Sequence, residues 1–300
     1  MAAPAVVVAP GLRDRLRGYV ALTKPRIIEL LLVTTIPTMF VAARGVPSGW
    51  LIIETLVGGA MAAGGANAIN MYLDRDIDAV MHRTRRRPLV TGAVTPRAAL
   101  TFALTLEALA FVELWLAVNL LSAVLAVSAT AFYVFVYTLW LKRTSSQNIV
   151  IGGAAGAVPV LVGWSAVTGH LGLAPIVLFA IIFVWTPPHF WSLAVKYRDD
   201  YRSVGVPMLP AVASLAATAR QIVVYSLALW AASLAFAPVA HMGLIYIGAA
   251  VVLGAVFVFY AIRLQREATS RSAMRLFGWS ITYLTLLFSS MAVDQLIHIR

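Results

Sequence analysis

Long apolar stretches alternate along this chain with short polar ones. Nine of them are long enough, or nearly so, to cross about 30 Å of hydrocarbon as helices. They cover residues 27–43, 50–72, 98–118, 120–141, 149–168, 174–195, 219–238, 243–262 and 276–296. No polar segment between them is large enough for a soluble domain. The pattern predicts an all-α, polytopic membrane protein with nine transmembrane helices, built as one domain over residues 1–300.

Charge gives this pattern a direction. If segment 1–26 is cytoplasmic, alternating spans place all 23 Lys and Arg except Arg44 and Arg300 on the cytoplasmic side. That bias is what insertion into a plasma membrane selects. The N-terminus is expected inside and the C-terminus outside. The two longest connections, 72–97 and 196–220, fall on the cytoplasmic face. They hold Asp74, Asp76, Asp78, Asp199 and Asp200. Chemistry is therefore expected there.

Composition narrows the picture further. Hydrophobic residues make up 61% of the chain, charged residues only 12%, and the mean hydropathy is +0.87. A soluble domain carries about twice that charged share. With no cysteine, disulfides, thiolate-bound zinc and iron–sulfur clusters are excluded. The net charge of +11 belongs to the cytoplasmic loops of a membrane protein, and no nucleic-acid partner is expected. In Met1–Gly18 the apolar residues precede the arginines, the reverse of a secretory signal.

The end of the second span is unusually polar. Asn70, Asp74 and Asp78 stand four residues apart. On an α-helix each such step drifts only about 40°, so the three line one stripe, which Asn67 extends upstream. Carboxylates at i and i+4 can share divalent ions, and arginines beside them can hold phosphate oxygens. Arg83, Arg85, Arg86 and Arg87 follow directly, with Arg83 and Arg87 again four apart. The combination points to a Mg²⁺–diphosphate site at the membrane surface. Solvated aspartates are the plainer reading, against which the stripe, the asparagines and the arginines all count. For the arginines, a plain anchor and a phosphate site are equally good readings. Asp76 lies about 200° around from Asp74 and is expected to pair with a neighbouring arginine.

A second cluster begins inside the sixth span, at Trp185-Thr186-Pro187-Pro188-His189. Paired prolines predict a helix break that is buried or lines a cavity. A histidine in an apolar span serves as a proton relay, a metal or haem ligand, or a hydrogen-bonded structural residue. The residues alone leave His189 open among these. Lys196 lies seven residues on, near the same face, with Asp200 one turn further. Lys196 is a candidate for diphosphate, Asp200 for the metal, and Tyr201 for support; Asp199 is expected at the surface. Gly205–Pro210 reads as a shaped loop or half-helix over the site.

Weaker signals remain. Lys142-Arg143 closes the fourth span beside Tyr137 and Trp140, as an interfacial belt or, for Lys142, as a diphosphate ligand. The small residues Gly152–Ala157 predict close helix packing. Glu29, Glu54, Glu107 and Glu113 lie in or near spans without an assigned role. Asp294 reads as structural. His82, His170, His241 and His298 are expected in solvent.

These residues resemble a known family. Asn70, Asp74 and Asp78 are similar to the first aspartate motif of the UbiA-type intramembrane prenyltransferases, and the likeness runs from Leu22-Thr23-Lys24-Pro25-Arg26 to the last span. Within that family, Asn70–Pro88, Tyr137–Arg143, Trp185–Trp191 and Asp200–Pro210 look like the protohaem IX farnesyltransferases, the haem O synthases. The resemblance implies farnesyl diphosphate and haem b as substrates in the lipid bilayer, Mg²⁺ as cofactor, and haem O for haem-copper oxidases as product. It implies a metal site of Asp74 and Asp78, aided by Asp200, with Asn70 and Lys196 in the catalytic set and Asn67 and Tyr201 supporting it. Arg83, Arg87, Lys142 and Lys196 would hold the diphosphate. His189 becomes the candidate to ligate or orient haem, and a downstream haem A synthase a candidate partner. One departure stands out: the family's second motif usually has two aspartates four apart, and here the first position is Lys196. That weakens the case for a full second metal set.

Two rival readings share these residues. One is a prenyltransferase with an aromatic quinone precursor or a chlorophyllide as acceptor. The other is a haem carrier or transporter, since broken helices and intramembrane charges also mark transporters. The acidic groups lie at one membrane edge rather than at the midplane, which favours prenyl transfer.

Overall fold

The computed structural model describes residues 11–298, without the side chains of residues 26, 27, 29–32 and 298. The first ten residues, Arg300, and the side chains of Glu29 and His298 therefore lie outside the described residues. The described residues form helices joined by turns and loops and hold no strand. In chain order the helices are α1 (Leu12–Thr23), α2 (Pro25–Ala43), α3 (Gly49–Leu73) and α4 (Arg75–Val80). Next come α5 (Pro96–Val118), α6 (Leu120–Thr144), α7 (Asn148–Thr168) and α8 (Leu173–Lys196). The last are α9 (Arg198–Ser203), α10 (Leu209–Val212), α11 (Leu215–Ala240), α12 (Leu244–Glu267) and α13 (Ser270–His298).

Eight of them, α3, α5–α8 and α11–α13, are long and apolar enough to cross a membrane. They match eight of the predicted spans, so the chain is an integral membrane protein. α2 occupies the place of the first predicted span and has 19 residues. Its described apolar part, Val33–Ala43, is shorter than a span. The short helices α4, α9 and α10 fall in the two long polar connections. Large apolar side chains such as Leu104, Leu116, Phe135 and Phe259 stay exposed on the spanning helices, as a bilayer-facing surface requires.

Neighbouring spans pack on one another, and α2 closes the arrangement by touching both α7 and α13. Close approach depends on small residues. A Cβ on Gly58 of α3 would stand 2.5 Å from the Leu114 side chain of α5, and one on Gly152 of α7 would stand 2.3 Å from the Tyr137 ring of α6. The two halves of the bundle are filled differently. The second half is packed with Phe236, Tyr246, Phe257, Tyr283 and Phe288, all buried. Between α3, α6 and α7 the walls are mostly alanine, glycine and threonine. They leave a cavity of ≈ 210 Å³.

The break predicted at Pro187-Pro188 is absent. α8 runs through both prolines as one helix. A proline fixes φ near −65°, which is a helical value. Within the same stretch the hydroxyls of Thr186 and Ser192 bond back to Ile182 O (2.8 Å) and Pro188 O (2.5 Å). Asp294 is buried and accepts from the backbone N–H of Gly243 (2.6 Å) and Tyr246 (3.3 Å), so it caps α12 as a structural residue should. Glu107 accepts from Thr130 Oγ1 at 3.1 Å on the α3–α5–α6 side.

Candidate active site

α3 ends at Leu73, Asp74 caps it, and α4 starts at Arg75. The break does not spoil the stripe. Asp74 N–H donates to Asn70 O and Asp78 N–H donates to Asp74 O, each at 2.9 Å, so the four-residue spacing survives. Asp74 and Asp78 are 0% and 2% exposed. Carboxylates buried this deeply require partners. Asp74 Oδ2 accepts from Lys142 Nζ at the end of α6 and from Asn70 Nδ2 at 2.7 Å. Asp78 Oδ2 accepts from Arg87 Nη1 at 2.5 Å. Asn70 Nδ2 also donates to Thr138 Oγ1 at 3.1 Å, and Asn67 Nδ2 donates to Thr23 O at 3.1 Å.

Asp74 Oδ1 is buried and has no hydrogen-bond partner. The Arg143 guanidinium stands 3.8 Å from it. Arg143 is committed to Asp76, which it grips with two bonds of 2.7 and 2.8 Å. Asp76 thus pairs with an arginine, as its position around the helix predicts. That hydrogen bond holds the Asp76 carboxyl down at about 2.

Thr138 sits where α6 changes its winding. Phe132–Leu141 form π-helical turns, a distortion that recurs at functional sites. The Thr138 hydroxyl donates to Tyr133 O, five residues back, at 2.8 Å. The same stretch delivers Lys142 to Asp74 and Tyr133 to the cavity wall.

The second motif is arranged more loosely. Asp200 Oδ2 accepts from the backbone N–H of Arg83 at 3.1 Å, and Arg83 Nη2 stands 3.5 Å from Tyr201 Oη. Tyr201 is buried, which pushes its phenol up, so it stays protonated. Lys196 is exposed, its ammonium 5.4 Å from the Tyr197 ring centre. Among the described residues no three acidic or histidine groups are placed to hold one ion. Asp200 joins the site through Arg83 rather than through a shared ring of carboxylates.

Lys24 was not anticipated as a site residue. It links α1 to α2 with φ of 52° and donates from Nζ to Asn70 Oδ1 at 3.1 Å. Burial pushes its ammonium down to about 7, and the charges of Arg87 and Lys142 add to the fall. The available signal was a lysine immediately before the proline that opens a span. Thr138 and Arg143 lie in the Tyr137–Arg143 stretch that carries the family likeness, but no local pattern ties them to Asn70 and Asp76.

Below the carboxylates the cavity follows α3 from Asn67 to Thr55, about 18 Å of helix axis. Ala126, Thr130 and Tyr133 of α6 and Gly156, Pro159 and Val162 of α7 complete it. A buried, cation-lined acidic stripe thus caps a narrow apolar chamber. Residues 31–288 match the model of the UbiA prenyltransferase family. The chain belongs to that family. Among similar UbiA-family sequences, the protoheme IX farnesyltransferase of Frankia alni is 57% identical over 286 residues, spanning 94% of this chain and 99% of the relative. The protein of the same name from Clavibacter sepedonicus is 54% identical, spanning 96% of this chain and 95% of the relative. Solved structures share the fold. One, from work on digeranylgeranylglyceryl phosphate synthase, aligns with a TM-score of 0.77 at 16% identity, over 95% of this chain and 99% of that one. A UbiA homolog from Archaeoglobus fulgidus bound to DMAPP and Mg²⁺ aligns at 0.65 and 17%, over 92% and 99%.

His189 lies away from the carboxylates. Its ring is partly buried, stacked on Trp185 and Phe277, with Nδ1 2.6 Å from Ser280 Oγ. The histidines 82, 170 and 241 are exposed, as expected for this UbiA-family chain.

Proposed function

We propose that this chain transfers a farnesyl group from farnesyl diphosphate to a vinyl group of haem b, giving haem O and diphosphate for haem-copper oxidases. The observation that carries the reading is the buried Asp74–Asp78 stripe, paired with Lys142 and Arg87, at the mouth of an apolar cavity. The relatives named protoheme IX farnesyltransferase supply the acceptor.

The orphaned Asp74 Oδ1 fits a cation-binding role, since a buried anionic oxygen without a donor is costly. Asp74 and Asp78 would hold Mg²⁺, aided by Asp200, and the ion would supply positive charge to the leaving diphosphate. With the carboxylates so engaged, Lys142 and Arg87 turn their donors to the diphosphate oxygens, joined by Arg83, Lys196 and Lys24. Asn70 orients Asp74, Asn67 fixes the chain at Thr23, and Tyr201 supports Arg83. The farnesyl tail occupies the cavity, whose alanine and glycine walls keep water from the allylic cation. The C1–O bond breaks with its electron pair on the diphosphate, and the terminal vinyl carbon bonds C1. The cation left beside the porphyrin ring takes the oxygen of water, which loses a proton. His189 faces the haem.

The topology proposed is nine spans over one domain, N-terminus inside and C-terminus outside, with the site on the cytoplasmic face of a bacterial inner membrane. Haem A synthase is the proposed recipient of the product. The test is mass spectrometry of haems after incubating purified protein with haem b, farnesyl diphosphate and Mg²⁺. The expected product is heavier by farnesyl plus water, and EDTA abolishes it. Unchanged haem with a prenylated aromatic acceptor would overturn the haem assignment.

A further inference from the structure

Ser280, on α13, has no part in the scheme above, yet it is tied to the imidazole of His189 on α8 by a 2.6 Å contact between Oγ and Nδ1. The serine hydrogen is already committed: Oγ donates to Phe277 O, also at 2.6 Å. An oxygen whose hydrogen is used elsewhere can only accept. The hydrogen between the two groups therefore belongs to Nδ1. In a neutral imidazole this leaves the lone pair on Nε2.

The ring is also held in its plane. Trp185 stacks on it at 4.1 Å between centroids and Phe277 at 4.8 Å, tilted by 17° and 29°. The Trp185 indole N–H donates to Ser280 O at 2.9 Å, so α8 and α13 are pinned at the residue that binds the imidazole. His189 keeps partial exposure. With Nδ1 taken and two rings stacked on it, the edge left open is the one that carries Nε2. A histidine that ligates a metal has this form: one nitrogen donates to a fixed oxygen and the other is bare.

We propose that Ser280 is a positioning residue for the haem substrate, holding His189 as the Nδ1–H tautomer so that Nε2 ligates the haem iron. The inference rests on the reading of His189 as the residue that faces haem. His189 is seven residues, about 10 Å of helix axis, from Lys196 at the acidic end of the bundle.

The test uses the purified full-length protein and haem b, read by resonance Raman spectra of the ferrous complex and by haem titration. The wild type shows an iron–imidazole stretch, and His189→Ala loses it. Ser280→Ala keeps a stretch but at lower frequency, and weakens haem binding about 10-fold or more, the usual cost of losing a partner behind a ligand. Ser280→Thr restores both, because threonine keeps the hydroxyl. Melting temperatures of the three variants control for folding. If His189→Ala leaves the stretch in place, the reading of His189 falls and the inference with it. If His189→Ala removes the stretch while Ser280→Ala matches the wild type, His189 stands and the role of Ser280 is overturned. A drop in Ser280→Ala that Ser280→Thr does not reverse also overturns it.

Discussion

The two acidic motifs face the same connection but are held in opposite ways. Asp74 and Asp78 are buried, and each is locked to a cation, Lys142 and Arg87. Asp199 is largely exposed, and its arginine neighbours stand 3.5 and 3.7 Å away. Asp200 meets only a backbone N–H at 3.1 Å. Burying a carboxylate costs several kcal/mol unless charge offsets it, whereas an exposed pair contributes about 0–1 kcal/mol. The first motif is therefore a set of charges held ready to change partners. The second shapes the rim around Arg83.

This contrast can be broken by unequal substitutions. Asp74→Asn is expected to have the largest effect, a fall of about 10³-fold in haem product with the protein still folded. Lys142→Met comes next, at about 10²-fold, because it removes both the partner of Asp74 and a diphosphate donor. Asp200→Asn is expected to cost about 10-fold or less, mostly through loosened Arg83. Equal losses in Asp74→Asn and Asp200→Asn would erase the distinction between the motifs. Asp76→Asn should leave turnover unchanged, since Asp76 serves only Arg143.

Asp76 also gives the smallest effect, in pH. Its folded carboxyl sits at about 2, below the ordinary value near 3.9. A carboxyl depressed in the folded state stabilises fully above its unfolded value and loses that contribution as pH falls through the folded one. The stability gap between wild type and Asp76→Asn should be constant above about pH 4 and close towards pH 2. The side chain is 57% exposed, so screening keeps the gap small, below about 0.5 kcal/mol. Chemical denaturation at pH 6 and at pH 2.5 measures it.

Much of this was legible in the sequence because a bilayer reads the chain coarsely. A span needs only length and apolar content, so eight helices fell close to their expected ends. The stripe of Asn70, Asp74 and Asp78 was legible because four-residue spacing fixes a face whatever packs on it. The partners were not. Lys24 reaches Asn70 across 46 positions and Lys142 reaches Asp74 across 68, and no local pattern encodes such pairings. The prolines of α8 misled for a different reason. Proline is read as a breaker because it removes a donor, but its φ is helical, and α8 runs through both. The cavity was hidden as well, since a hollow depends on what the walls lack: Ala63 and Gly156 look like ordinary packing residues until their neighbours are known.

The π-helical turns of α6 have a consequence for how this helix can vary. A π turn closes over i→i+5, one residue more than an α turn. Phe132–Leu141 therefore stores extra length inside an otherwise α-helical span. Rewinding that stretch to α with every residue kept would swing everything after it by about 100°. Lys142 would leave Asp74 and Arg143 would leave Asp76, although neither residue had been touched. Substitutions in this stretch are tolerable so long as the π winding is kept. That winding sets the register between α6 and the acidic stripe.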